Sequence, residues 1–277
     1  MKFSSELKDY WLKSGIQKGD NLLFHSNIKR TFFYFKKKYK NFKIDNFFES
    51  LLEVILPDGT IAFPTFNFDF NKGIIFDYLN TPSKMGSLTE FARKNKLSYR
   101  TLNPVYSFSI IGKNQNKFKG IDNISWYSKE SPFHIFNELN FKILILDLDD
   151  NSSMTFLHYC EEFFQVNYRY YKDFTGYYID ADKKKLLKTY KGYVRKTEDG
   201  IITSCNNAAD VLWDRGIYKG SKPLSGNGIR YIYSSEYFNF FKECFELNKL
   251  ENIFYRKLNP TLHISSKYCF QTSLKLH

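Results

Sequence analysis

The sequence lacks the features of several large classes of protein. No apolar run approaches the roughly 20 residues that a membrane-spanning helix needs, and the first residues lack the apolar core of a secretory signal. The four cysteines, Cys160, Cys205, Cys244 and Cys269, show no CxxC spacing. Scattered cysteines in a chain without an export signal indicate free thiols in a reducing compartment. We therefore expect a cytoplasmic protein without a membrane partner.

Motifs that hold metals or phosphates in other enzymes are also missing. The sequence has no HExxH and no close cluster of His and Asp, so we expect no metal. It has neither GxxxxGK[ST] nor GxGxxG, which excludes the phosphate-binding loops of those classes. No repeat, low-complexity tract or linker rich in Pro, Gly and Ser divides the chain. We expect residues 1–277 to form a single domain, with a tail after Asn259 that has no clear periodicity.

Positive charge predominates. The chain has 41 Lys and Arg against 29 Asp and Glu, a net charge of +12, but only eight of the basic residues are Arg. Together with the 19% of aromatic residues, this composition indicates the codon bias of an A/T-rich genome. A basic surface attracts polyanions, yet Arg is the residue that grips phosphate and guanine best. A nucleic-acid-binding protein therefore stays an alternative without a motif behind it, and it predicts steeply salt-dependent binding to oligonucleotides.

Apolar periodicity predicts alternating strands and helices in the first 165 residues, and a different pattern after them. The predicted helices, with a cap at Asp45 and a capping box from Ser87 to Glu90, cover residues 4–14, 45–56, 87–95, 131–139, 149–164, 206–215 and 235–247. The predicted strands cover residues 21–25, 60–63, 106–111, 141–146 and 229–233, with a hairpin around 177–193. This order predicts a mixed α/β fold: a layered sheet with flanking helices, and an antiparallel hairpin region in the C-terminal half.

One histidine lies among residues suited to catalysis. Thr155, His158 and Glu161 are three residues apart, so they share a helical face just after the buried strand 141–146. A carboxylate beside an imidazole fixes its tautomer and stabilises the imidazolium, as a general base requires. Spacing alone leaves open that this is an ordinary helix pair. Cys160 is two residues from His158 and points to another face, so we expect a small buried side chain and not a nucleophile.

Seven short segments follow one another along nearly the whole chain. They are residues 19–26 (GDNLLFHS), 57–66 (PDGTIAFPTF), 81–90 (TPSKMGSLTE), 100–107 (RTLNPVYS), 130–133 (ESPF), 154–161 (MTFLHYCE) and 225–230 (SGNGIR). In this order they resemble the motifs of the aminoglycoside 3-N-acetyltransferase family, also called the antibiotic N-acetyltransferase family. The resemblance implies an acetyl-CoA-dependent N-acetyltransferase with an α/β fold other than the GNAT fold. It also implies direct attack of an amine on the thioester in a ternary complex.

The resemblance implies roles for individual residues. His158 corresponds to the family's catalytic histidine, Glu161 would orient it, and Thr155 would lie near the thioester. The implied coenzyme-binding residues are Ser26, Asn27, Ile28, Thr65, Phe66 and Ser107. Three positions depart from the family and bear on substrate detail: Asn27 replaces a serine, Asn103 replaces a histidine, and a glycine expected after the long strand is replaced near Asp147.

The acceptor is predicted from charge. Aminoglycosides carry several positive charges and need carboxylates, whereas the segment after Phe66 offers only Asp69 as a substrate-binding acid. The net charge favours an anionic amine, such as a nucleotide-linked amino sugar for surface-polysaccharide synthesis. An aminoglycoside acetyltransferase that confers antibiotic resistance is the alternative, and a family member without catalysis is a third. The basic run Lys36–Lys40 would help capture coenzyme A or form a solvated face, and a homo-oligomer is left open.

Overall fold

A computed structural model describes residues 2–223 and 228–258. Up to residue 146 its elements are α1 (Lys2–Lys13), β1 (Asn21–Ser26), α2 (Lys29–Lys38), α3 (Ile44–Ile55), β2 (Thr60–Pro64), β3 (Phe76–Asp77), α4 (Ser87–Lys94), β4 (Tyr99–Arg100), β5 (Phe108–Gly112), α5 (Pro132–Glu138) and β6 (Lys142–Leu146). The later elements are α6 (Asp150–Ser153), α7 (Phe156–Phe163), β7 (Arg169–Ile179), β8 (Lys185–Arg195), β9 (Ile201–Thr203), α8 (Cys205–Asp214), β10 (Lys219–Gly220), β11 (Ile229–Tyr233), α9 (Ser234–Glu246) and β12 (Tyr255–Lys257).

A seven-stranded sheet in the order β10-β11-β6-β1-β2-β5-β4 forms the centre of the fold. Its three middle strands, β6, β1 and β2, are parallel, and their neighbours β11 and β5 run antiparallel to them. The pairing of β1 with β6 places Ser26 beside Leu146, so the two strands end at the same edge of the sheet. Segments that follow these strands, including the polar residues after β6, therefore gather at one place, which is where open α/β sheets bind ligands.

Two hydrophobic cores cover the two faces of this sheet. Successive side chains of a strand point to opposite faces, and in β1 Leu22 belongs to one core while Leu23 belongs to the other. The first core holds Trp11 of α1 and Leu51 of α3. The second holds Leu157 of α7 and extends to the C-terminal elements. The layered α/β architecture that the sequence predicts is confirmed.

The C-terminal half adds the predicted hairpin. Strands β7 and β8 pair antiparallel along their whole lengths, from Arg169 opposite Arg195 to Ile179 opposite Lys185, and β3 joins β7 to make a three-stranded sheet. The strands are longer than the sequence indicated. No helix within the described residues is long and apolar enough to cross a membrane.

Two predicted helix caps are wrong, since the residue before α3 is Lys43 and the residue before α4 is Gly86. Helix α3 begins at Ile44, so Asp45 lies in its first turn and does not cap it. Oδ1 of Asn46 accepts the Lys43 N–H at 3.0 Å. Helix α4 begins at Ser87 itself, after Gly86. Glu90 does not close a capping box there, because its carboxylate accepts the Ser83 N–H at 2.8 Å.

The predicted helix 149–164 is two helices. Met154 and Thr155 lie between α6 and α7. The buried Asp150 carboxylate accepts a hydrogen bond from Arg230 at 2.8 Å, which ties α6 to β11. Of the final glycine segment only Gly228, Ile229 and Arg230 lie among the described residues, and the tail after Asn259 lies outside them.

Candidate active site

Helix α7 presents the predicted pair of His158 and Glu161. The Nδ1 atom of His158 lies 2.7 Å from Oε2 of Glu161. The Glu161 side chain is 1% exposed and the His158 side chain is 21% exposed, so the acid is enclosed while the imidazole reaches the surface of a cavity. Ring contact with Tyr127, at 5.2 Å between centroids, holds the imidazole from one side. The predicted pairing is present in the structure.

Arg169, at the start of β7, completes this cluster, and no pattern in the sequence indicated it. Its Nε lies 2.7 Å from Oε2 of Glu161, its Nη1 donates to the Tyr193 carbonyl at 2.9 Å, and its Nη2 lies 3.0 Å from Nδ1 of His158. Burial tends to raise the pKa of Glu161, but the charge of Arg169 and the His158 hydrogen bond outweigh it and leave that pKa below its ordinary value. Glu161 is therefore an anion at neutral pH.

The charge of Glu161 fixes the tautomer of His158. A carboxylate only accepts hydrogen bonds, and its contact is the shorter of the two at Nδ1, so Nδ1 carries the hydrogen and donates it to Glu161. Nη2 of Arg169, which can only donate, then lies beside Nδ1 as a neighbouring charge and not as a hydrogen-bond donor. The lone pair is then on Nε2, which has no hydrogen-bond partner among the described residues. Burial first, and the nearby charge of Arg169 second, lower the pKa of His158 below its ordinary value, against the opposing effect of Glu161. The imidazole is thus neutral at pH 7 and able to take a proton at Nε2.

The cavity beside His158 has a volume of about 1000 Å³. We call it the histidine cavity. Its walls are aromatic and basic, and they include Tyr106, Trp126, Tyr127, Tyr170, Phe174, Arg169, Lys172 and Arg195. Its position between α7, the β7–β8 hairpin and the segment around Trp126 follows from long-range packing. The sequence analysis did not identify these residues, because they are scattered over some 90 positions.

A second cavity, of about 820 Å³, lies beyond the end of β1. We call it the β1 cavity. Ser26, Asn27 and Ile28, three of the predicted coenzyme-binding residues, line it. The buried Oγ of Ser26 and Nε2 of His25 have no hydrogen-bond partner among the described residues. Unpaired buried polar atoms are costly unless a ligand satisfies them, so this wall fits a molecule with amide and carbonyl groups, such as the pantetheine arm of coenzyme A.

The two cavities adjoin the same short helix. Ser152 of α6 lines the β1 cavity and its neighbour Asn151 lines the histidine cavity. The Asn151 side chain accepts the Cys205 N–H at 2.6 Å, which fixes α6 against α8. The two cavities therefore lie next to each other at α6.

Other predicted site residues line neither of these two cavities. Thr65 and Ser107 are fully buried, with their hydroxyl oxygens 3.1 Å apart, and Phe66 packs edge-on against Tyr106. Thr155 precedes the first residue of α7 and is half-buried. Their proposed roles in binding stay predictions, and for Thr65 and Ser107 the contacts observed are those that fix the strand ends.

Asp69 and the basic run also stand apart from the histidine cavity. Asp69 forms an ion pair with Lys84 at 2.5 Å, and it is Lys84, not Asp69, that lines the β1 cavity. In the basic run, the Nζ of Lys36 donates to the Lys40 carbonyl at 2.7 Å, and Lys38 pairs with Glu6 at 2.6 Å. Neither lysine lines either of the two cavities.

Asp147 lies near the position after the long strand where a glycine is expected, and its backbone conformation is one that glycine favours. The backbone of Asp147 has φ of 51°, in the left-handed region that glycine adopts without strain. Asp is among the residues that tolerate it, and here its carboxylate accepts the Gly228 N–H at 2.8 Å and the Thr31 hydroxyl at 3.2 Å. These contacts hold the residue in place after β6.

Solved structures share this fold. A complex described as AAC-IIIb with CoASH superposes with a TM-score of 0.73 at 15% identity, over 88% of this chain and 96% of that one. The YokD protein of Bacillus subtilis gives 0.71 at 20% identity, over 90% and 95%. Sisomicin-bound AAC-VIa gives 0.72 at 19% identity, over 88% and 98%. Identities this low show the common fold, which confirms the predicted fold class.

Sequence comparison supplies the family. A search of curated proteins finds no match. The sequence model of the family described as aminoglycoside 3-N-acetyltransferase, however, matches residues 23–245, most of the chain. This match covers the last four residues of β1, most of the residues around both cavities and the His158–Glu161 pair. It confirms the resemblance that the ordered motifs indicated and the enzyme class that followed from it. The chain belongs to the aminoglycoside 3-N-acetyltransferase family and is an acetyl-CoA-dependent N-acetyltransferase.

Proposed function

We propose that this enzyme acetylates a primary amine of an amino sugar by direct transfer, with His158 as the general base. The observation that carries the proposal is the neutral imidazole at the cavity wall, with Nδ1 bonded to the anionic Glu161 and Nε2 unpaired. An ammonium group cannot attack a carbonyl, so a base beside the amine is required. Glu161 orients the ring and stabilises the imidazolium that forms.

Acetyl-CoA supplies the acetyl group. The ammonium group first loses one proton to solvent through His158. As the nitrogen of the neutral amine bonds to the acetyl carbon, Nε2 of His158 accepts the second N–H proton. When the carbon–sulfur bond breaks, the imidazolium returns that proton to the departing thiolate, and the base is regenerated. Thr155, at the N-terminal end of α7, is the candidate donor to the oxygen that gains negative charge.

Ser26, Asn27 and Ile28 are proposed to hold coenzyme A in the β1 cavity. The unpaired Ser26 Oγ and His25 Nε2 supply polar contacts, and Lys29 on the same wall supplies positive charge for a polyanionic ligand, whereas Lys84 is already paired with Asp69. Because α6 lines both cavities, the donor and acceptor are held together. That arrangement removes much of the entropic cost of a two-substrate reaction.

Two classes of acceptor are candidates. The comparisons favour an aminoglycoside: the family bears that name, and two of the structures that share the fold are complexes with sisomicin and apramycin. The net charge of +12 and the basic walls of the histidine cavity favour a nucleotide-linked amino sugar. Both require the same transfer step, so the reaction proposed for His158 holds for either.

An acetylation assay with a panel of acceptors tests this proposal. Release of coenzyme A thiol would be followed with acetyl-CoA and kanamycin, gentamicin, and UDP- or dTDP-linked amino sugars. Turnover of an amino sugar from either class, abolished in a folded His158→Ala variant, is the expected result. Turnover of no amine in the panel, or full turnover by the variant, would contradict the proposal. Faster turnover of the antibiotics would assign the acceptor to the aminoglycosides.

A further inference from the structure

The histidine cavity has an uneven charge. Arg169, Lys172 and Arg195 line it, and no Asp or Glu belongs to the lining formed by the described residues. Met1 and residues 224–227 and 259–277, which lie outside the described ranges, contain no Asp or Glu either. No acidic side chain of those segments can therefore join this wall. A polycationic acceptor would meet positive charges here without a carboxylate to receive its ammonium groups.

Two of the three cations are available to a ligand. Arg169 is already neutralised by Glu161 and bonded to the Tyr193 carbonyl. The guanidinium of Arg195, at the end of β8, has no hydrogen bond or ion pair with any described residue, although it is half-buried and only the more distant Glu161 acts on it as a negative charge. Lys172 forms no ion pair in the described part of the chain and lies 5.5 Å above the centroid of the Phe174 ring.

A half-buried guanidinium without an anion is an unusual arrangement. Removing such a group from water costs free energy unless an opposite charge compensates for it. The planar guanidinium offers two parallel N–H donors that match the oxygens of a phosphate or carboxylate. Arg195 is thus placed to bind an anionic group of a ligand in the cavity that holds His158.

Aromatic rings lie on the same walls. Trp126 and Phe174 stack with 4.9 Å between ring centroids and 26° between ring planes, and the nearby Tyr170 is 39% exposed. Trp126 is buried at 5% exposure, so Tyr170 is the ring of this group whose exposed face offers planar, apolar contact to another flat ring. Positive charge and aromatic faces together match a ligand that carries both an anionic group and a flat ring.

We infer that the histidine cavity binds an acceptor amine joined to a nucleoside diphosphate, with Arg195 as the residue that contacts its phosphate. The diphosphate would lie against Arg195 and Lys172, the base against the aromatic walls, and the amine beside Nε2 of His158. This inference rests on the proposed function, because His158 identifies the cavity as the acceptor site. It selects between the two acceptor classes by local contacts and not by the net charge of the chain.

Binding of uridine diphosphate to the enzyme saturated with coenzyme A tests the inference. Saturation with coenzyme A fills its own site, so that the added diphosphate reports on the acceptor site. We expect calorimetric binding that Arg195→Gln weakens about 10- to 100-fold, as the loss of a charged hydrogen bond predicts. Arg195→Lys should weaken it less. Arg215→Gln, which removes an exposed arginine paired with Glu243, should change it less than about twofold.

Binding of smaller ligands to the unmodified protein separates the contribution of the diphosphate from that of the nucleoside. Inorganic pyrophosphate should bind more weakly than uridine diphosphate, and uridine without phosphate more weakly still. Failure of uridine diphosphate to bind the coenzyme-saturated enzyme, its displacement by further coenzyme A, or equal binding by Arg195→Gln would overturn the inference. In each case an intact acetyl transfer that depends on His158 would leave the proposed function standing. Diphosphate binding that Arg195→Gln weakens, with transfer unaffected by His158→Ala, would instead refute only the proposed function.

Discussion

His25 should make the protein sensitive to mild acid. Its side chain lies at the end of β1, 5% exposed, and burial lowers its pKa from 6.5 to about 4. Below pH 6.5 the unfolded chain binds a proton at this residue that the folded chain does not, so stability falls as the pH drops toward 4. With these two pKa values, the linkage relation gives a loss of about 2 kcal/mol between pH 7.5 and pH 5.0.

Urea unfolding at the two pH values measures this loss. In His25→Gln, which has no titratable group at this position, the difference between the unfolding free energies at pH 7.5 and pH 5.0 should shrink by about 2 kcal/mol relative to the parent. Phe24→Leu in the same strand is the control: it lowers stability at both pH values, and its pH difference should match that of the parent. An unchanged pH difference in His25→Gln would refute the reasoning that burial keeps this imidazole neutral.

Two further substitutions test the site. Glu161→Gln keeps the size of the side chain but removes the charge that stabilises the imidazolium, so steady-state kinetics should show kcat lower by about 10- to 100-fold; kcat within twofold of the parent would contradict the role of Glu161. Cys160 is fully buried and burial raises the pKa of its thiol well above 9. Cys160→Ala should therefore leave kcat within about twofold while it lowers the unfolding free energy by about 1 kcal/mol. A folded but inactive variant would indicate a covalent route.

The sequence predicted the elements whose signals are local. The strand at 141–146 and the helix at 132–138 follow from a continuous apolar run and from Ser131-Pro132, and both are in the structure. The pairing of His158 with Glu161 depends on helical spacing alone, so it too could be predicted. The caps predicted at Asp45 and Ser87 are wrong. Local sequence does not settle a helix cap, because nearby backbone N–H groups and side chains compete for the same carboxylates and amides.

Features that depend on distant parts of the chain escaped prediction. Arg169 forms an ion pair with Glu161 only because the start of β7, in the β7–β8 hairpin, lies beside α7. The buried partner of Asp150 in α6 is Arg230, 80 residues away from it in the sequence. Arg195 gives no sequence signal, since its importance lies in having no partner inside a cavity. Spacing rules cannot identify such residues, because their partners are set by tertiary packing.

The pH dependence of kcat in the parent and in His158→Ala decides whether His158 is the general base. With acetyl-CoA and acceptor both saturating, the parent should keep its activity down to pH 6.5 and lose it at lower pH, since the pKa of His158 lies below its ordinary value. The variant should be about 10²- to 10⁴-fold slower. Its remaining rate should rise continuously with pH as solvent deprotonates the amine. A folded variant with the rate and pH profile of the parent would contradict the assignment of His158 as the base.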